Sequence, residues 1–411
     1  MKLTIKPIPF IFGLFLIGIL ACNIAKPVAF KSYVDTSSKP VSYQQKRTFS
    51  LPQEHIYASN QFDGARLNGF ELLNDSTASV IINPENVPVN PSPYYAFKVW
   101  SDTTKVFYFT LTYPKGFKHR YIPKINVGSG WNAIDSTSIY HVDSIVTIKL
   151  NLSKKPTMVA AQEIQSSADV KNWYEDLIED TDNLIHPEIF GKSKLGRELP
   201  VLDIYRGTRK NKPVIVLLTR QHPPEVTGFF AFQEFLKTLV RPSELSKEFF
   251  DKYRVLAFPI MNPDGVDLGH WRHNAGGIDL NRDWSKYNQP EIRQTVAYID
   301  KTLKKEKARL ILGLDFHSTL YDVFYTNTER ASTALPHFVE DWFHSLEANI
   351  PAYKVNEQSA NSNKPVSKGW FLNAHQAVGI TYEIGDNTSK EDIKTIGKTS
   401  AEQMMRILLN N

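Results

Sequence analysis

The chain has 411 residues, 42% hydrophobic and 22% charged, with a formal net charge of +5. That length exceeds one average domain and the composition suits packed cores, which excludes a wholly disordered chain. Lysine and arginine are scattered, which argues against a nucleic-acid footprint, and a single cysteine excludes an internal disulfide and a cysteine-built metal site.

Residues 1–22 read as a targeting segment. Lys2 and Lys6 precede an apolar stretch over 7–21, short for a membrane-spanning helix and flanked as a signal peptide is. It ends in Ile19-Leu20-Ala21-Cys22, which resembles a bacterial lipobox. This predicts export across the inner membrane and a lipid anchor on Cys22 that holds the protein in the cell envelope. Asn23 follows where an acidic residue is absent, which in a Gram-negative cell resembles an outer-membrane address.

Residues 23–50 are polar, include Thr36-Ser37-Ser38-Lys39-Pro40, and are expected to form a flexible tether. Residues 51–162 predict an antiparallel β-sandwich: strands rich in aromatic and β-branched residues at 94–100, 105–113 and 144–150 are separated by Pro, Asn and Gly. The pattern changes over 163–411. Helices are predicted at 167–180 (with Ser167 as N-cap), 228–240, 289–305 and 389–409, and strands at 213–219, 253–260, 310–314 and 380–383. Such alternation predicts an α/β domain, a mostly parallel sheet covered on both faces, with its site beyond the carboxyl ends of the strands.

Two buried strands lead to metal-binding side chains. The run at 213–219 leads into His222-Pro223-Pro224-Glu225, and the run at 310–314 into Asp315-Phe316-His317. His222 and Glu225, three apart, can reach one ion, and His317 offers a third ligand. Two histidines and one glutamate leave zinc an open position for chemistry, although affinity order alone does not select the metal. Alone, His222 reads equally well as a hydrogen-bonded loop residue.

Five segments in order carry a family resemblance: His222-Pro223-Pro224-Glu225, Asn262-Pro263-Asp264-Gly265, Trp271-Arg272-His273-Asn274, Asp279-Leu280-Asn281-Arg282-Asp283-Trp284 and Tyr382-Glu383. With them the chain resembles the M14 zinc carboxypeptidases from about residue 80 onward, and most of all the cytosolic-carboxypeptidase branch, which sets a β-sandwich before the peptidase domain. Asn90-Pro91-Ser92-Pro93-Tyr94-Tyr95-Ala96-Phe97 carries a looser match in front. The resemblance implies the zinc carboxypeptidase fold, a mixed central sheet with helices on both faces. It implies one zinc ion on His222, Glu225 and His317, and removal of carboxyl-terminal residues from peptides with Glu383 as general base. It further implies that Arg272 stabilises the oxyanion, that Asn281 and Arg282 hold the substrate carboxylate, and that Asp279 orients His222. By the same register Lys368 falls near the pocket for the terminal side chain, where it would favour Glu or Asp; a solvated loop lysine is the alternative.

The match breaks at Pro224, where the founding enzymes have an arginine, and over 358–366, where their mobile tyrosine is missing and Tyr353 is the nearest upstream. Two other functions therefore stand beside the first: an amidase or carboxypeptidase on peptidoglycan stem peptides, and a binding lipoprotein on an inactive scaffold. The partners expected are a peptide or peptidoglycan peptide and, through Cys22, a membrane. His186-Pro187-Glu188 is expected to be a turn, His270 and His273 to line the cleft, and Asp315 to be a plain strand-end carboxylate. The front domain is expected to pack beside the cleft.

Overall fold

The structure is a computed structural model that describes residues 26–181 and 183–411. The targeting segment and Cys22 lie outside the described residues.

The front domain holds β1 (Thr48–Leu51), β2 (Ile56–Ser59), β3 (Gly69–Asn74), β4 (Thr77–Ile81), β5 (Ala96–Ser101), β6 (Lys105–Thr112), β7 (Lys124–Asn126), β8 (Trp131–Ala133), β9 (Ile139–Val142), β10 (Ile145–Leu152) and β11 (Thr157–Ala160). They form two sheets, in the orders β1-β2-β5-β11-β7-β8 and β3-β4-β6-β10-β9. Side-chain alternation explains the packing. Phe107, Phe109 and Leu111 of β6 and Val146, Ile148, Leu150 and Leu152 of β10 turn to one shared core, while their neighbours face outward. One pairing departs from an all-antiparallel sandwich: β4 and β6 run parallel. Between them the chain crosses to the other sheet to lay down β5, so it returns beside β4 in the same direction.

The second domain contains α1 (Ser167–Glu179), β12 (Ile185–Lys192), β13 (Glu198–Ile204), β14 (Val214–Thr219), α2 (Val226–Val240), α3 (Glu244–Lys252), β15 (Arg254–Phe258), α4 (Pro263–Asp267), α5 (Pro290–Glu306), β16 (Leu310–Thr319), β17 (Val323–Thr326), α6 (Phe338–Asn349), β18 (Glu357–Ser359), α7 (Ser367–His375), β19 (Val378–Gly385) and α8 (Lys390–Asn410). Its eight-stranded sheet has the order β12-β13-β15-β14-β16-β19-β17-β18. The four central strands are parallel, β13 and β17 pair antiparallel to them, and β12 pairs antiparallel to β13 at the edge. The apolar run of β14 serves two cores. Ile215 and Leu217 pack with Phe229, Phe232 and Phe235 of α2, whereas Val214, Val216 and Leu218 pack with Trp284, Ile292 and Val296 on the other face.

Three expectations are corrected. The N-cap of α1 is Ser166, which closes a capping box with Asp169. His186-Pro187-Glu188 lies inside the edge strand β12, where Pro187 is tolerated, and His186 stacks on Tyr205. Residues 26–47 are not a loose tether but an extended strap along the second domain. Val28 N donates to Ser285 O, Ser32 N to Asn363 O, and Lys39 N to Gly276 O, while Gln289 Nε2 donates to Thr36 O. Val28 and Phe30 cover part of the Trp284–Trp370 core, which adds apolar burial to these bonds.

One glycine fixes how the site assembles. A Cβ at Gly228 would lie 2.2 Å from His317 O, so only glycine lets the start of α2 press against β16.

Candidate active site

His222 follows β14, and Glu225 is the N-cap residue of α2 without spending its side chain on the cap. His317 lies within β16, one strand over. The three are buried and converge: His222 Nδ1 is 2.8 Å from Glu225 Oε1, His317 Nδ1 is 2.6 Å from Glu225 Oε2, and the two Nδ1 atoms are 3.2 Å apart. Their ligand atoms all lie within 4.8 Å of one another.

The outward ring nitrogens are held by carboxylates. His222 Nε2 pairs with Asp279 Oδ1 at 2.9 Å and His317 Nε2 with Asp315 Oδ2 at 2.8 Å. Each pairing fixes the ring and leaves Nδ1 facing the centre, the arrangement of a metal-bound histidine. Two imidazole nitrogens and a carboxylate fit one zinc ion, and the buried charges need a cation to offset them. Asp279 is held well below the usual carboxylate range: burial pushes it up, but Arg272 and His222 outweigh that.

A cavity of about 780 Å³ opens on this centre. Glu383 enters it from β19, paired in register with His317. Its Oε2 is buried with no hydrogen-bond partner among the described residues, and burial raises the carboxyl to about 8. Such an unspent acceptor beside a metal site is suited to move protons, and a bound cation would draw its pKa back down. Arg272 donates from Nε to Asp279 Oδ2 at 2.7 Å, with Nη1 3.7 Å from Glu225 Oε1. Asn281 spends Oδ1 on Ser367 N at 2.9 Å, while Arg282 is more open, with Nη1 donating to Asn281 O at 2.7 Å. Lys368 also lines the cavity, but all three of its donors are taken, by Thr326 O, Asn327 Oδ1 and Ala360 O at 2.9, 3.2 and 2.5 Å.

His270 and His273 do not line the cleft. His270 Nδ1 bonds His273 O, and His273 Nδ1 bonds Asn86 Oδ1 of the front domain, so both rings are buried between the domains. Asp315 is no plain strand-end carboxylate. It also accepts from Gln221 Nε2 at 2.6 Å and from Ser367 Oγ. The i, i+2 spacing of Asp315 and His317 on one strand was a readable signal for that contact. Tyr353 is absent from the cavity, whose one tyrosine among the described residues is Tyr325 of β17. Two front-domain residues have no local sequence signal: Arg120, which lines the cavity, and Glu85, which reaches the loop that bears Arg272.

The front domain grips the loop that bears Arg272. The buried Glu85 carboxylate accepts from the backbone N–H groups of Trp271, Arg272 and His273 at 2.8, 3.0 and 2.7 Å. Three successive N–H groups form a nest for an anion, filled here from another domain.

Comparison with known proteins agrees with this architecture. The family model for zinc carboxypeptidases matches residues 170–405, more than half of the chain. Cytosolic carboxypeptidase 3 of Bos taurus is 32% identical over 120 residues, 28% of this chain but 12% of that protein. The chain thus spans a small part of that curated relative's length. Two solved structures share the fold across both domains. A metallo-carboxypeptidase from Burkholderia cenocepacia superposes with a TM-score of 0.70 at 15% identity, covering 86% of this chain and 98% of that one. The metallo-carboxypeptidase from Pseudomonas aeruginosa in complex with (2-guanidinoethylmercapto)succinic acid gives 0.67 at 18% identity, with 85% and 98% covered. With its matched region spanning the buried histidine–glutamate–histidine centre, the chain belongs to the M14 zinc carboxypeptidase family.

Proposed function

We propose that the protein is a metallocarboxypeptidase that releases carboxyl-terminal residues from peptides. The observation that carries this reading is the unpartnered Oε2 of Glu383 in the same cavity as the three-ligand centre. When bound, zinc supplies a Lewis acid that makes water nucleophilic near neutral pH and polarises a carbonyl. Glu383 takes a proton from the attacking water and delivers it to the leaving amine. Arg272, clamped on Asp279, presents its remaining donors to the developing oxyanion. Arg282, with Asn281 beside it, receives the terminal carboxylate on a planar guanidinium. Lys368 places a cation in the cavity wall, and because its three donors are held by protein oxygens it favours a departing Glu or Asp through charge rather than through a hydrogen bond. The cytosolic-carboxypeptidase branch and a lipid anchor on Cys22 in the cell envelope complete the proposal, supported by the motif order and by Ile19-Leu20-Ala21-Cys22.

The test is a mixed peptide library incubated with the parent and with Glu383→Gln, the new carboxyl ends being read by mass spectrometry. Loss of single terminal residues by the parent only, abolished by a chelator, is expected. Unchanged peptides with zinc bound would overturn the reading and direct attention to peptidoglycan stem peptides.

A further inference from the structure

Arg120 lies in the loop between β6 and β7, in the front domain, yet its side chain lines the catalytic cavity together with Glu225 and Ser318. Its Nε donates to Asp386 Oδ2 at 2.8 Å and its Nη1 to Ser92 Oγ at 2.9 Å. Asp386 is buried and lies immediately after β19, the strand that carries Glu383. The ion pair therefore ties the front domain to the end of the catalytic strand. Nη2 has no hydrogen-bond partner among the described residues, and it is not among the polar atoms shut off from solvent. A guanidinium has a rigid donor fork, so fixing Nε and Nη1 aims the free Nη2 in one direction.

The other cavity cations differ in how far they are committed. Lys364 is exposed in the loop between β18 and α7, Lys368 is held by Thr326 O, Asn327 Oδ1 and Ala360 O, and Arg272 and Arg282 gather at Asp279. A peptide whose end is held there, with its scissile carbonyl at the metal ligands, must send its upstream residues past another wall. Asn90 and Arg120 of the front domain build such a wall. Asp386 already offsets the charge of Arg120, so the free Nη2 suits a neutral oxygen better than a second carboxylate.

We propose that Arg120 binds substrate upstream of the scissile bond by donating Nη2 to a main-chain carbonyl oxygen. The front domain then supplies a substrate contact and gives the enzyme a preference for longer peptides, whatever their upstream side chains. This rests on the peptidase reading above.

The experiment measures peptide affinity by calorimetry, on zinc-loaded protein in the Glu383→Gln background, so that no turnover is needed. Blocked peptides of two and four residues share one terminal residue, and the longer ones carry either acidic or neutral upstream residues. Arg120→Ala combined with Asp386→Asn removes both ions together, because an orphaned buried Asp386 could unfold the chain. Arg120→Lys keeps a cation for Asp386 but loses the fork. Both should weaken four-residue peptides about tenfold or more, as for a lost hydrogen bond from a charged group, and two-residue peptides less than about twofold. Equal weakening at both lengths would mean a structural role and overturn the inference, as would no change at either. Weakening confined to acidic upstream residues would overturn the carbonyl contact. If the longer peptides bind the Glu383→Gln protein with Arg120 intact, the peptide-site reading stands whatever Arg120 does. If no peptide binds it, that reading fails and the inference with it.

Discussion

The carboxylate of Glu85 holds the backbone of Arg272, so a residue of the sandwich sets the aim of a guanidinium in the peptidase site. Glu85→Gln replaces one acceptor with an amide that faces N–H donors. We expect kcat to fall about tenfold or more, with KM within about threefold, because the loss falls on transition-state charge rather than on ground-state binding. Glu85→Asp should recover part of the rate. Steady-state kinetics beside thermal melting checks this: a lower Tm with unchanged kcat would reduce Glu85 to a structural strut.

Glu383→Gln keeps the shape of the side chain and removes its basicity. Activity should drop by about 10² to 10⁴, while metal analysis still finds one zinc per chain on the three ligands. Loss of zinc along with activity would mean that Glu383 serves the metal site instead.

Asp315 and Asp279 each orient one ligand histidine. Asp315→Asn leaves His317 without its anionic partner, and zinc affinity should weaken about 10- to 100-fold in a chelator competition. Unaltered affinity would show that packing alone holds the ring.

Lys368 gives the pH test. Burial, with Arg330 nearby, lowers its ammonium to about 8. Below that pH the side chain is cationic, and above it the charge is lost. KM for peptides ending in Glu should therefore rise between about pH 7 and 9, whereas KM for neutral-ended peptides should not follow. Lys368→Met should erase the difference. A ratio flat with pH in the parent would remove Lys368 from substrate recognition.

The metal ligands were legible because each motif is local. His222 and Glu225 are three residues apart, and buried apolar strands announce where both they and His317 must emerge. Asp315 was readable in principle from strand periodicity, but a carboxylate at a strand end has many plainer explanations. Glu85 and Arg120 were not readable. Their partners lie 187 and 266 residues away, and no repeating pattern links positions brought together by domain packing. The strap's order is hidden from the sequence for a related reason. Its composition is that of a linker, while its order comes from carbonyls and amides that any sequence possesses, matched to a surface built by residues 276–289 and Asn363.

That strap changes what an anchor would do. Tyr287 Oη donates to Lys26 O, and Ser285 brackets Val28 from both sides, so the strap is already held four residues after Cys22. Four residues reach at most about 14 Å. An enzyme lipidated at Cys22 would be moored on a short leash, unable to sample the volume around it. Proximity would then act as a filter ahead of any pocket, favouring chain ends presented in the same thin layer beside the membrane over peptides diffusing beyond it.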